Sequence, residues 1–168
     1  MRHNSKKRTT ALGRRPLPQV LIVGQDWQVR ALLRAQLLEE GLDVAAYDRL
    51  EDALDVLRSS FALPNLLLAD VSSSDHPAAD LDALATWTPK VPMWIIASRQ
   101  SLSEDHVRGF GFDRVLFRPV DVGWLVAEIE ERVNRYPAGD FSLAPSPESL
   151  APGLHHGSSS RKRWVMPE

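Results

Sequence analysis
The chain has 168 residues, 43% hydrophobic and 25% charged, with a formal net charge of −2 and no cysteine. That balance fits one globular domain with extensions, and it excludes disulfides and thiolate-bound metals. No apolar run approaches the roughly 18 residues of a membrane span; only Val20–Val23 follows Arg14-Arg15, short of the about 7–15 apolar residues of an export signal, so the expected compartment is the cytoplasm.

Val20–Val23 is apolar throughout, as a strand covered on both faces should be. Asp26 is placed to cap the helix that follows, in which Val29, Leu32, Leu33 and Leu37 recur at helical spacing and Gly41 terminates. Leu42 to Tyr47 reads as a weaker second strand. Leu50, Ala53, Leu54 and Leu57 form the stripe of a second helix. After Pro64, Asn-Leu-Leu-Leu-Ala-Asp70 reads as a third buried strand. Pro77 suits the first turn of a helix facing the core with Leu81 and Leu84. Met93 to Ala97 is the fourth strand. Ser103 opens a short helix with Glu104 and Asp105 at its positive end. Arg114 to Phe117 is the fifth strand, and Asp121 caps a last helix with the face Val122, Leu125, Val126, Ile129 and Val133. Helices between successive strands force parallel pairing and right-handed crossovers. The fold class is α/β, a three-layer, doubly wound, five-stranded parallel sheet.

The two ends differ from this body. Residues 1–19 carry six Lys/Arg and no acid, whereas residues 20–135 carry 11 basic and 19 acidic residues. The segment 1–19 is therefore expected to be a disordered basic arm, 20–135 the folded domain, and 136–168 a disordered Pro/Ser-rich tail that buries too little to offset its ordering entropy. The tail ends in Arg161-Lys-Arg-Trp164, and its His155-His156 has no further ligands at metal spacing. Trp94 is expected in the core. Trp124 falls away from the centre of its helix's apolar stripe and is a candidate partner contact.

In an open parallel sheet, ligands gather at the carboxyl ends of the strands. Those ends supply Gly24 and Gln25, then Asp70, Ala97 with Ser98, and Arg118 with Pro119. Pro64-Asn-Leu-Leu-Leu-Ala-Asp70-Val71, Val91-Pro-Met-Trp-Ile-Ile-Ala97-Ser98 and Gly111-Phe-Asp-Arg-Val115-Leu-Phe-Arg118-Pro119 fall in a frame that resembles the receiver domain of response regulators, the CheY-like family, from Val20 to Val133. The resemblance implies the flavodoxin-like strand order 2-1-3-4-5, a phosphoacceptor at Asp70, a cis Arg118-Pro119 bond, and a binding face made by the fourth strand, the helix after it and the fifth strand. It also implies two Mg²⁺-binding acids where Gly24 and Gln25 stand, a Thr or Ser where Ala97 stands, a lysine where Arg118 stands and a switch aromatic where Val115 stands.

These departures bear directly on chemistry. Phosphoryl transfer is mostly positioning and charge neutralisation, with the metal the largest local charge, and Mg²⁺ demands hard oxygen ligands. Gly24 offers none and Gln25 a neutral amide, leaving only a weak Mg²⁺ site through Asp26 and Asp70. An Asp70–Arg118 ion pair is expected to fix the rim in its place, provided both members stay hydrogen-bonded. Read alone, Asp70 is either a vestigial acceptor or a turn residue accepting local N–H bonds.

The expectation is a pseudo-receiver of two-component or phosphorelay signalling, not an enzyme and without a resident cofactor, acting in trans on a protein partner such as a histidine kinase. The tail is too short and polar to be an output domain. The first rival is a working phosphoacceptor at Asp70. A nucleotide-binding enzyme is disfavoured because Gly24-Gln-Asp-Trp-Gln-Val29 lacks the further glycines of a pyrophosphate loop. Nucleic-acid binding is disfavoured because the arm has no interleaved aromatics and the body is acidic. The oligomeric state stays open.

Overall fold
A computed structural model describes residues 18–60 and 62–135. The expectations for the basic arm, apart from its last two residues, and for the tail with its His155-His156 and Arg161–Trp164 lie outside the described residues.

Among the described residues ten elements alternate: β1 (Val20–Gly24), α1 (Trp27–Glu39), β2 (Val44–Tyr47), α2 (Leu50–Ser59), β3 (Leu66–Asp70), α3 (Pro77–Ala85), β4 (Met93–Ala97), α4 (Glu104–Arg108), β5 (Arg114–Phe117) and α5 (Val122–Arg135). The five strands form one sheet in the order β2-β1-β3-β4-β5, every adjacent pair parallel. The three-layer, doubly wound sheet expected from the alternation is the observed fold, and the strand order is the one the resemblance implies.

Strand side chains alternate between faces, and each face has its own core. Leu21, Val23, Leu67, Ala69, Met93, Ile95 and Ala97 pack with Leu54, Leu57, Leu81, Leu84 and Val107 from α2, α3 and α4. Val20, Ile22, Leu66, Leu68, Trp94 and Ile96 pack with Leu33, Leu37, Leu125, Ile129 and Val133 from α1 and α5. The central strands are apolar throughout because both faces are covered.

Helix ends follow from local chemistry. The Asp26 carboxylate accepts from the backbone N–H of Gln28 and Val29 at 3.1 and 3.2 Å, the Ser103 hydroxyl accepts from His106 N–H, and Asp121 accepts from Trp124 N–H at 2.7 Å. All three expected caps are in place. At the other end of α1, Gly41 at φ +80° donates to Leu38 O at 3.0 Å while Leu42 N–H donates to Leu37 O at 3.1 Å, a Schellman closure. Gly41→Ala forces a Cβ into the left-handed region and should cost about 1 kcal/mol, read as a lowered midpoint in urea unfolding.

Two sequence expectations need correction. The second strand begins at Val44, because Leu42 is spent on closing α1 and packs back on that core. Leu32 was placed on the buried stripe of α1 but is 47% exposed; Leu33 and Leu37 carry the burial of that helix. Trp94 is in the core, as expected.

Candidate functional site
The parallel register sets Gly24 opposite Asp70, so the ends of β1 and β3 lie side by side at the carboxyl edge. The approach is close. A Cβ at Gly24 would meet the Asp70 Cβ at 3.1 Å. Asp70 lies almost wholly buried, its side chain 8% exposed.

Both of its carboxylate oxygens are occupied. Oδ2 accepts from Arg118 Nη2, and Oδ1 accepts from the N–H of Ser72 at 3.0 Å and from the Ser72 hydroxyl. Arg118 follows directly on β5, where its N–H donates to Ala97 O at 3.0 Å. Its side chain is 34% exposed, and Nη2 also lies 3.7 Å from Asp26 Oδ2. One arginine thus ties the end of β5 to the end of β3 and to the cap of α1. A second, Arg30, reaches back from the first turn of α1 and donates to Gly24 O. Both guanidinium groups are permanent cations that offer planar, multidentate donors.

The other rim residues stand apart from this pair. Gln25 is exposed and Ala97 packs into the core on the α2–α4 side. Pro119 is exposed after a cis Arg118-Pro119 bond. Ser98 is engaged elsewhere: β4 ends at Ala97, and Ser98 closes a turn in which its hydroxyl accepts from Gln100 N–H and its carbonyl from Ser101 and Leu102 N–H.

Ser72 and Arg30 were not singled out from sequence. Asp70-x-Ser72 has the spacing at which an Asp side chain turns back on a downstream N–H, a signal that was available. The expected local turn and the expected ion pair are both present, one oxygen of Asp70 making the turn and the other the long-range pair. Arg30 carried no comparable signal, because its acceptor is a backbone carbonyl.

These residues do not fit Mg²⁺. A hard cation would need oxygen donors from Gly24, Gln25, Asp26 and Asp70. The first has no side chain, the second is neutral, the third caps α1, and the fourth is held by Arg118 and Ser72. The Arg118 cation already supplies the positive charge at Asp70. Among the described residues no group of three or more His, Asp or Glu side chains converges to hold a metal.

On the α2–α3 side of Asp70 a cavity of about 210 Å³ opens, lined among others by Gln25, Asp48, Glu51, Asp75 and Asp80. Its lining carries the carboxylates of Asp48, Glu51, Asp70, Asp75 and Asp80 against one arginine, Arg49, so its net charge is negative. At the far edge of the sheet, Trp124 is 45% exposed, and the Arg114 guanidinium lies between it and Trp94 while pairing with Glu128 at 2.6 Å. No helix among the described residues is long and apolar enough to cross a membrane.

No family model matches the chain, and no curated protein matches it. Solved structures do. A CheY-like response-regulator receiver domain protein from Methanospirillum hungatei JF-1 is 21% identical, covering 71% of this chain and 95% of that one at a TM-score of 0.58. A response-regulator receiver protein from Burkholderia phymatum is 19% identical over 70% of this chain and 96% of its own, at 0.57. An orphan response regulator of H. pylori is 18% identical over 68% and 94%, at 0.55. The strand order, the paired ends of β1 and β3 and these likenesses together establish that the chain has the CheY-like fold of response-regulator receiver domains.

Proposed function
We propose that the chain is a cytoplasmic pseudo-receiver, a signalling module that acts on a protein partner in trans with little or no phosphorylation at Asp70 and is not itself an enzyme. The observation that carries this reading is the occupancy of Asp70: Arg118 holds one carboxylate oxygen and Ser72 the other. An attacking carboxylate needs a free oxygen and a cation able to neutralise the incoming phosphoryl group. Here the cation is already committed to the nucleophile. The acid-lined cavity beside Asp70 also repels a small anionic phosphodonor.

The partner is a histidine kinase or another signalling protein of a two-component or phosphorelay system. The surface offered to it is the face of β4, α4 and β5, whose geometry the Asp70–Arg118 tie holds in a single state. Where a receiver changes that face on phosphorylation, this rim lacks the hydroxyl at Ala97 and the aromatic at Val115 that would relay the change.

Incubation of the full chain with acetyl phosphate and Mg²⁺, followed by intact-mass measurement, tests the reading. The expected spectrum is unchanged from the untreated protein. A stoichiometric gain of about 80 Da, one phosphoryl group, present in wild type and absent from Asp70→Asn, would establish instead a working phosphoacceptor.

A further inference from the structure
α1 buries Leu33 and Leu37, and its outer side, which also carries the exposed Gln28 and Glu39, holds a second apolar line. A surface helix ordinarily turns charged and polar residues to water. On α1 the exposed arc holds Trp27, Ala31, Ala35 and Leu38 in one line, with Trp27 66% and Leu38 41% exposed. Beside it, toward the edge strand β2, lies an open groove of about 300 Å³ lined by Trp27, Arg30, Ala31, Arg34, Ala35 and Ala46. Neither Arg30 nor Arg34 has a carboxylate partner among the described residues, whereas most of the other arginines do. The face therefore asks for an occupant with apolar side chains and negative charge.

We propose that the occupant is residues 137–154 of the chain's own tail, Pro-Ala-Gly-Asp-Phe-Ser-Leu-Ala-Pro-Ser-Pro-Glu-Ser-Leu-Ala-Pro-Gly-Leu, docked along the outer face of α1. This segment contains Asp140 and Glu148, no basic residue, and the apolar side chains of Phe141, Leu143, Leu150 and Leu154. Its complementarity to Trp27, Ala31, Ala35 and Leu38 with flanking Arg30 and Arg34 is both apolar and electrostatic.

The reach is sufficient. α1 and α5 each follow a parallel strand and run back toward the amino edge, packed side by side, so Arg135 and Glu39 both lie toward that edge. α1 has 13 residues, about 20 Å at 1.5 Å per residue, and packed helix axes are roughly 8–10 Å apart. An extended chain covers about 3.3 Å per residue. From Arg135, Phe141 can arrive at Leu38 and Arg34, and Glu148 with Leu150 at Arg30 and Trp27. A tethered segment also acts at an effective concentration on the order of millimolar, so modest contacts suffice. A second copy of the chain is a poorer occupant, because antiparallel pairing of two α1 faces sets Arg30 and Arg34 against their own counterparts.

The docking is independent of whether Asp70 accepts phosphate, so its test leaves that reading untouched. The chain has no cysteine, so Ser146→Cys in the full chain carries a single nitroxide label. Amide signals of α1 are measured by NMR against a diamagnetic control at low protein concentration. The expected result is selective broadening of residues 27–38, lost in Trp27→Ser and in Asp140→Lys/Glu148→Lys. Trp27 lies on the surface, so its replacement leaves the fold intact, and the rest of the spectrum verifies this. No selective broadening of α1, broadening that survives in both variants, or broadening seen only when labelled and isotope-enriched copies are mixed would each overturn the proposal; the last would give the face to a second copy.

Discussion
Arg118→Ala is expected to lower the stability of the chain by about 2 kcal/mol. Removing one member of a fully buried ion pair costs roughly 3–5 kcal/mol, since the other charge is left without compensation, whereas exposed pairs contribute only about 0–1. Asp70 is close to the first limit and Arg118 lies between them, with side chains 8% and 34% exposed. Ser72 still serves one oxygen of Asp70, which softens the loss without supplying a counter-charge. In a chain of this size the effect is a fall in Tm of roughly 2–4 °C per kcal/mol. Asp70→Asn should cost less, because the guanidinium it leaves is partly solvated and keeps Asp26 at 3.7 Å. The double variant Asp70→Ala/Arg118→Ala should be more stable than Arg118→Ala alone, with a coupling energy inside the range of about 0.5–3 kcal/mol seen for contacting residues. A cost for Arg118→Ala below about 0.5 kcal/mol, the scale of an ordinary surface substitution, would show that the pair does not hold the rim.

Rebuilding the cation site should convert a metal-indifferent protein into a metal-dependent one. In wild type, millimolar Mg²⁺ is expected to leave Tm unchanged, for want of free anionic oxygens. Gly24→Asp/Gln25→Asp/Arg118→Lys adds two carboxylates beside Asp70 and takes away the fork that occupies it. Without metal this variant should be less stable than wild type. Three acids then crowd one another, and the new Cβ at position 24, 3.1 Å from that of Asp70, requires the ends of β1 and β3 to part by a few tenths of an ångström. With Mg²⁺ at about a hundred times its Kd, binding to the folded state alone adds about 2.7 kcal/mol. Thermal melts with and without Mg²⁺ check both halves. A wild-type Tm that climbs with Mg²⁺ as the variant's does would contradict the account of the rim.

Most of the architecture was legible from periodicity. Continuous apolar runs at Val20–Val23 and Met93–Ala97 mark strands covered on both faces, and Asp26, Ser103 and Asp121 mark helix starts, because these signals depend on residues close in sequence. What escaped the sequence was set by neighbours distant along the chain or by the backbone. Leu32 fits the helical spacing of the buried stripe as well as Leu33 does, and only the way α1 packs on β1, β2 and α5 decides between them. The hydroxyl of Ser98 is withheld by a turn that begins where β4 stops. The candidate site was readable at Asp70 and Arg118, since both fall at strand ends. Arg30 was not, because a guanidinium bound to a carbonyl leaves no pattern in side-chain types.

A rim whose carboxylate takes its counter-charge from Arg118 does not depend, on the proposed pseudo-receiver reading, on a metal that a chelator could strip or a phosphoryl group that a phosphatase could remove. Under that reading there is no chemical state to toggle at Asp70, and such a protein informs its partner only by how many copies are present. Its control then passes to synthesis and turnover, and its effect should titrate with dose like that of a stoichiometric ligand.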